Sequence, residues 1–390
     1  MPKDAELDLV VHGATGFTGR LVAEHLVRRH PDLRWAMSGR SAAKLAAVRD
    51  EVGAPADLPL IVADAADKAS LTALVARTKA VITTVGPYQL YGAPLVAACA
   101  AAGTDYLDLC GEPAWMRAMI DAHNDTAKAS GARILFSCGF DSIPFELGVL
   151  FLQREAARAF GRPFPRIKGR VRAFRGSFSG GTLASLGATL AAAVRDREVV
   201  RLLKDPFSLT PGFAGPPQPE EQGVLLDEEL GSWSAPFVMA AINTRNVHRS
   251  NLLQGQPWGA DFVYDERMLT GPGEKGRATA EGVAGAPSPL ADPSAPKPGE
   301  GPSREEREAG FYEVLFVGST PDGRSMTALV KGDRDPGYGS TSKLIAETAL
   351  CLAAEGANVA GGVLTPGAAL GDALVRRLSE RAGLSFELLG

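Results

Sequence analysis

Apolar positions in the first 140 residues switch repeatedly between two periods. Residues 7–11 form an apolar run, interrupted only by Asp8, suited to a buried strand, and 16–29 follow with Leu21, Val22, His25 and Leu26 at helical spacing. The alternation continues: 33–38, 58–63, 80–85, 106–109 and 133–137 predict strands, while 41–52, 70–78, 93–102 and 113–130 predict helices, Ser41 being placed to cap the first of these. Six strands separated by helices with short connections predict an α/β fold with a parallel, doubly wound Rossmann sheet and right-handed crossovers over residues 1–142.

Beyond Gly139 the pattern changes. Residues 146–160 predict a helix, 166–175 a strand with basic outward positions, and 182–195 a long helix of low polarity. Pro and Gly dominate 206–223, an irregular loop, and 234–249 and 259–268 have strand character. The segment 271–302 is dense in Pro, Gly, Ala and charge, a composition that supports no core and predicts a mobile loop. Residues 311–317 and 325–330 flank Pro321-Asp322-Gly323 as a hairpin, and 342–355 and 370–382 predict C-terminal helices.

A chain of 390 residues exceeds one ordinary core, so two domains are expected. Its 45% hydrophobic and 22% charged residues are those of a globular protein, and its net charge of −4 gives no electrostatic basis for nucleic-acid binding. No apolar signal segment opens the sequence and no apolar run is long enough to span a bilayer, which points to the cytoplasm. Cys99, Cys110, Cys138 and Cys351 lack paired short spacings and histidine partners, so free thiols and no metal motif are expected.

Gly13-Ala14-Thr15-Gly16-Phe17-Thr18-Gly19 sits between a strand and a helix, where backbone N–H groups and the positive helix end converge to cradle a pyrophosphate. Gly13 would allow the tight turn, Gly16 the approach of phosphate and Gly19 the helix–strand contact. The spacing is one residue longer than the common dinucleotide fingerprint, and no Lys-Ser/Thr pair follows that would make it a nucleotide-triphosphate loop. The second strand ends in Ser38-Gly39-Arg40-Ser41, without the acid that holds the NAD ribose. Arg40 offers a planar fork, and Ser41 a hydroxyl, to a 2′-phosphate, so the expected cofactor is NADP(H). Asp64 ends the third strand, where an adenine would lie, and Thr84-Val85-Gly86-Pro87 ends the fourth, toward the nicotinamide ribose.

Three further stretches fall at the carboxyl ends of strands four to six, where open parallel sheets bind ligands. They are GPYQLYG (86–92), DYLDLCGE (105–112) and CGFDSIP (138–144). Tyr88 and Tyr91 are the candidate catalytic groups, Cys138, Asp141 and Ser142 the candidate substrate contacts, and Glu112 a further polar group. Arg166, Lys168, Arg170, Arg172 and Arg175 alternate along one strand as a solvated face, or as a surface for an acidic carrier protein or a phosphopantetheine phosphate.

These motifs, together with SGGT (179–182), GPSREER (301–307), GDRDPGYG (332–339) and LTPGAALG (364–371), resemble the saccharopine dehydrogenase-like oxidoreductases over nearly the whole chain. Within them the chain is most similar to the trans-acting enoyl reductase branch, associated with reducing a carbon–carbon double bond during polyketide-type lipid assembly. The resemblance implies an NADP-type Rossmann domain, an inserted α+β substrate or dimerisation domain over 143–340, and C-terminal helices over 341–390 that return to the first domain. It implies an acyl-thioester substrate; the basic row adds an acyl carrier protein as an expected partner, the low-polarity helix over 182–194, with Leu183, Leu186 and Leu190, adds a peripheral membrane contact, and a homodimer is a further expected association. Two alternatives stand beside it: an amino-acid dehydrogenase acting on a C–N bond, and a non-catalytic nucleotide-binding protein at lipid surfaces.

Overall fold

The computed structural model describes residues 5–177, 179–220, 222–294 and 296–389. Its strands in chain order are β1 (Leu7–His12), β2 (Trp35–Gly39), β3 (Leu60–Val62), β4 (Thr78–Thr83), β5 (Asp105–Leu107), β6 (Arg133–Leu135), β7 (Arg166–Arg175), β8 (Leu225–Asp227), β9 (Ser232–Pro236), β10 (Val263–Gly271), β11 (Phe311–Ser319), β12 (Ser325–Gly332), β13 (Gly362–Leu364) and β14 (Leu384–Leu389).

The first sheet has the order β13-β6-β5-β4-β1-β2-β3 and is parallel throughout. Strand order reverses between β1 and β4, so a crevice opens beyond their carboxyl ends. Strands buried on both faces explain the predominantly apolar runs. On one face Leu9, Val11 and Ile82 pack with Val22 and Leu26 of the helix Phe17–Arg29 and with Leu344, Ile345 and Leu374 of the C-terminal helices Thr341–Glu355 and Pro366–Arg381. On the other, Val10, Val81 and Ile134 pack with Leu71, Val96 and Met116 from the intervening helices.

The second sheet runs β14-β12-β11-β7-β10-β9-β8; β7 and β10 are parallel and the other pairs antiparallel. Phe145 and Val149 of the helix Ile143–Phe160, and Val247 of the helix Ala240–Leu253, cover its core face with Val314, Phe316 and Val330. The C-terminal segment serves both sheets, since β13 extends the first and β14 the second.

Two sequence expectations fail here. Residues 234–249 are not one strand: β9 ends at Pro236 and Ala240–Leu253 is a helix. This helix is buried on nearly every side, so it shows no apolar stripe, and several of its polar groups bond internally (Asn243 to Glu266, Arg249 to the Leu209 and Val363 carbonyls). Nor is 271–302 a structureless loop, because Gly273–Ala284 is a helix and Pro289–Ala291 a 3₁₀ turn. That helix docks through small residues, Gly276 and Ala280, instead of large apolar ones, and Arg277 lies 5.4 Å over the Trp233 ring. The helix Arg197–Lys204 and strands β13 and β14 are additional to the elements expected.

Candidate active site

The glycine turn owes its shape to backbone contacts. Gly13 has φ +88°, and a side chain there would come 2.8 Å from Thr84 Oγ1. The Gly13 and Ala14 N–H groups donate to the Ser38 carbonyl at 2.9 and 3.1 Å, and Gly16 N–H donates to the Gly13 carbonyl at 2.9 Å. A Cβ on Gly19 would collide with the Gly13 carbonyl, so the helix Phe17–Arg29 lies directly against the turn. No side chain caps this helix and no acid occupies its first turn, which leaves the positive end to an anion.

The neighbouring cofactor candidates divide into committed and free groups. Ser38 is buried and its hydroxyl lies 3.1 Å from His12 Nδ1, so it acts inside the sheet. Burial lowers the His12 pKa to about 4 and keeps the ring neutral. Gly39 is buried, Ser41 accepts from Lys44 N–H as the cap of the helix Ala42–Glu51, and Arg40 is exposed with no ion pair among the described residues. Asp64 Oδ1 accepts from Ala66 N–H at 2.9 Å and so shapes its own turn. Thr84 Oγ1 donates to the Gly13 carbonyl at 3.2 Å, Val85 is half-buried, and the cis Gly86–Pro87 bond follows with Gly86 exposed. An uncapped helix end, an uncommitted arginine and an exposed glycine at the β4 end fit an NADP(H) molecule laid across the switch point.

Tyr88 does not reach the crevice as a free phenol. Its hydroxyl is buried, donates to the Thr83 carbonyl at 3.2 Å and accepts from Leu109 N–H at 3.1 Å. Burial, reinforced by the Asp108 charge, pushes its pKa far up. Tyr91 stands at the rim, 46% exposed. Glu112 receives the Tyr88 and Gln89 N–H groups at 2.9 and 2.8 Å, anchoring the short helix Tyr88–Tyr91 behind Gly86.

The β6 loop likewise sorts its residues. Cys138 is fully buried, its thiol 3.4 Å from the Leu135 carbonyl, and burial drives its pKa well up, which makes it inert. The Ser142 hydroxyl is buried and accepts from Asn246 Nδ2 at 2.8 Å, so this predicted substrate contact braces the loop against the second domain. Asp141, joined to Ser142 by a cis peptide bond, is different. Its Oδ1 is shielded from solvent and has no hydrogen-bond partner, and burial raises its pKa to about 7.

Groups distant in sequence roof the crevice. Gln89 Nε2 donates to Thr189 Oγ1 at 3.1 Å on the helix Gly180–Arg195, and Ser185 Oγ lies 3.7 Å from where a Gly86 side chain would begin. The Tyr338 ring meets Phe17 edge-on at 5.2 Å, and its hydroxyl bonds Ser179 N–H and, at 2.8 Å, Thr182 Oγ1. Burial raises the Tyr338 pKa, and the Asp141 charge acts in the same direction. Phe140 N–H donates to Thr341 Oγ1 at 2.9 Å, tying the β6 loop to the same segment. The Arg307 guanidinium lies 5.5 Å over the Phe17 ring, while Gly301 packs so close that a side chain would come 2.6 Å from it. Tyr338 and Arg307 sat in motifs visible in the sequence, but nothing local in those motifs indicated contact with Phe17.

The basic row on β7 is neither a free patch nor simply solvated. Arg166 pairs with Asp265, Lys168 with Asp227 and Glu229, and Arg172 with Glu313. Arg170 is buried between Asp227 and Asp265, both at 2.8 Å. Arg175 alone of the five is exposed without an ion pair among the described residues.

Residues 9–135 match the family described as the saccharopine dehydrogenase NADP binding domain, so the first sheet carries an NADP-binding domain. A trans-acting enoyl reductase of Mycobacterium tuberculosis is 41% identical over 97% of this chain and 96% of its own. One from Mycobacterium ulcerans is 40% identical over 96% of each. The apo saccharopine dehydrogenase (L-Glu forming) of Saccharomyces cerevisiae shares the fold, with a TM-score of 0.57, 11% identity, and coverage of 98% of this chain and all of that one. With similarity to these enoyl reductases running almost end to end, the chain belongs to the saccharopine dehydrogenase-like oxidoreductases, in their trans-acting enoyl reductase branch.

Proposed function

We propose that this protein uses NADPH to reduce the carbon–carbon double bond of an enoyl thioester. The observation that carries this reading is the 40–41% identity, across at least 96% of both chains, to proteins bearing that activity in their names. In this reading the Gly13–Gly19 turn holds the pyrophosphate, Arg40 the 2′-phosphate, and residues 84–87 flank the nicotinamide ribose. NADPH, when bound, supplies a hydride to the β-carbon of the alkene.

The chain's own part is to position the alkene, exclude water and deliver a proton. With that hydride supplied at the β-carbon, a side chain of the protein would complete the reduction by giving a proton to the α-carbon. Asp141 is assigned as that acid: its carboxyl is held in shielded surroundings with a pKa of about 7, so it retains a proton near neutrality. Tyr91 remains a rim group that can orient the thioester. Glu112 and Tyr88 are positioning residues that fix Gly86-Pro87 through the short helix. The helix Gly180–Arg195 covers the site against water. An amino-dicarboxylate substrate is disfavoured, because the β7 cations that could clamp it are paired with carboxylates, Arg175 excepted.

The test is NADPH oxidation by the purified chain with acyl-carrier-linked and coenzyme A-linked enoyl thioesters, run beside saccharopine, lysine and glutamate. Mass spectrometry should find two hydrogens added to the acyl group. Response to the amino acids alone would overturn the proposal, as would NADPH binding without oxidation by any enoyl thioester.

A further inference from the structure

Remote from the crevice opening, at the far end of the helix that begins at Phe17, three metal-ligating side chains meet. His25 lies in the last turns of that helix, His30 is its C-terminal cap, and Glu347 projects from the helix Thr341–Glu355. Both imidazoles bring Nε2 to the same carboxylate oxygen, Glu347 Oε1, at 2.8 and 2.7 Å. The three ligand atoms all lie within 4.8 Å of one another. We propose that His25, His30 and Glu347 bind a divalent transition-metal ion of the zinc or cobalt class, which clips the C-terminal helices to the cofactor-binding helix.

Four features support this assignment. First, two imidazoles and one carboxylate are the donor set that borderline ions such as zinc prefer. Second, metal–ligand bonds of about 2.0–2.2 Å put tetrahedral ligand atoms about 3.3 Å apart, so each imidazole–carboxylate pair need open by only about half an ångström, and the two imidazole nitrogens are already within 4.8 Å of each other. Third, Glu347 is fully buried while the side chains of His25 and His30 are 9% and 15% exposed, which leaves an access path on the imidazole side. Fourth, the remaining oxygen, Glu347 Oε2, accepts from Arg377 Nε at 2.8 Å, an outer contact of the kind that orients a ligating carboxylate. That cation also sets the affinity below that of a site made only of anionic ligands. On binding, each imidazole turns its Nε2 lone pair to the ion and carries its proton on Nδ1, so no group need be oxidised or lost. Water completes the coordination. The sequence offers no metal signal because the third ligand lies more than 300 positions away.

The experiment uses the full chain, stripped with a chelator, dialysed, and titrated with cobalt(II) as the probe. One cobalt per chain should produce a saturable visible absorption band, zinc should displace it, and the melting temperature should rise reversibly with either ion. His30→Gln and His25→Gln should abolish the band while leaving NADPH binding unchanged. His123→Gln, on a half-exposed histidine elsewhere, should keep the band. If the folded native chain gives no saturable band, or if the band survives in the His25 and His30 variants, the cluster is only a hydrogen-bonded lock and the proposal is wrong. Neither outcome depends on enoyl reduction.

Discussion

Replacing Asp141 with asparagine keeps the shape of the side chain and removes its ionisation. In the folded protein burial lifts this carboxyl from 3.8 to about 7, so over the interval between those values the native state holds a proton that the unfolded chain has released. Stability from this group is therefore complete below about pH 4 and is lost as pH rises through 7. Integrating the linkage from about pH 5.5 to about 7.5 gives a loss of at most about 2 kcal/mol from Asp141. Asp108, also raised to about 7 by burial, is present in both proteins and cancels in the comparison. Urea unfolding at the two pH values should show the native chain losing about 2 kcal/mol more than Asp141→Asn. In turnover assays the variant should lose roughly a hundredfold or more in kcat, the scale of a missing general acid, with its NADPH affinity intact. Equal pH dependence of stability in the two proteins would refute the shielded, proton-holding carboxyl. Normal turnover by the variant would refute its role as acid.

Arg40→Ala should weaken NADPH binding by roughly 10- to 100-fold, the scale of a lost charge-assisted hydrogen bond, and leave NADH binding nearly unchanged; equal losses for the two nucleotides would remove Arg40 from the 2′-phosphate. Tyr88→Phe strips the hydroxyl that joins the Thr83 carbonyl to Leu109 N–H, so it should cost about 1–3 kcal/mol in unfolding experiments yet retain most of kcat, unlike Asp141→Asn. Gly19→Ala drives a methyl into the Gly13 carbonyl, and should abolish NADPH binding or folding, as followed by nucleotide fluorescence and circular dichroism. Arg170→Ala removes the buried cation between Asp227 and Asp265, which keep Lys168 and Arg166, and should destabilise the second sheet by about 1.5–3 kcal/mol, measured by thermal unfolding.

Local pattern was enough to outline the first sheet. Its strands are buried on both faces and its helices carry one apolar stripe, so β1 to β6 and their helices announce themselves within windows of a few residues. The turn geometry at Gly13 and Gly19 was legible for the same reason, since backbone geometry is a short-range property. The helix Ala240–Leu253 escaped because burial on nearly every side erases periodicity, and Gly273–Ala284 because it packs through glycine and alanine. Which side chains at the crevice are free was also beyond the pattern. Tyr88 and Ser142 were candidates by position, but Leu109 and Asn246, 21 and 104 residues away, take up their hydroxyls. Asp141 keeps an oxygen without a partner, while Tyr338 and Arg307 come to Phe17 from roughly 300 positions downstream. Secondary structure and the cofactor turn are set by neighbours along the chain, whereas burial, pairing and the protonation of a carboxyl depend on what folding brings alongside, which no local window contains.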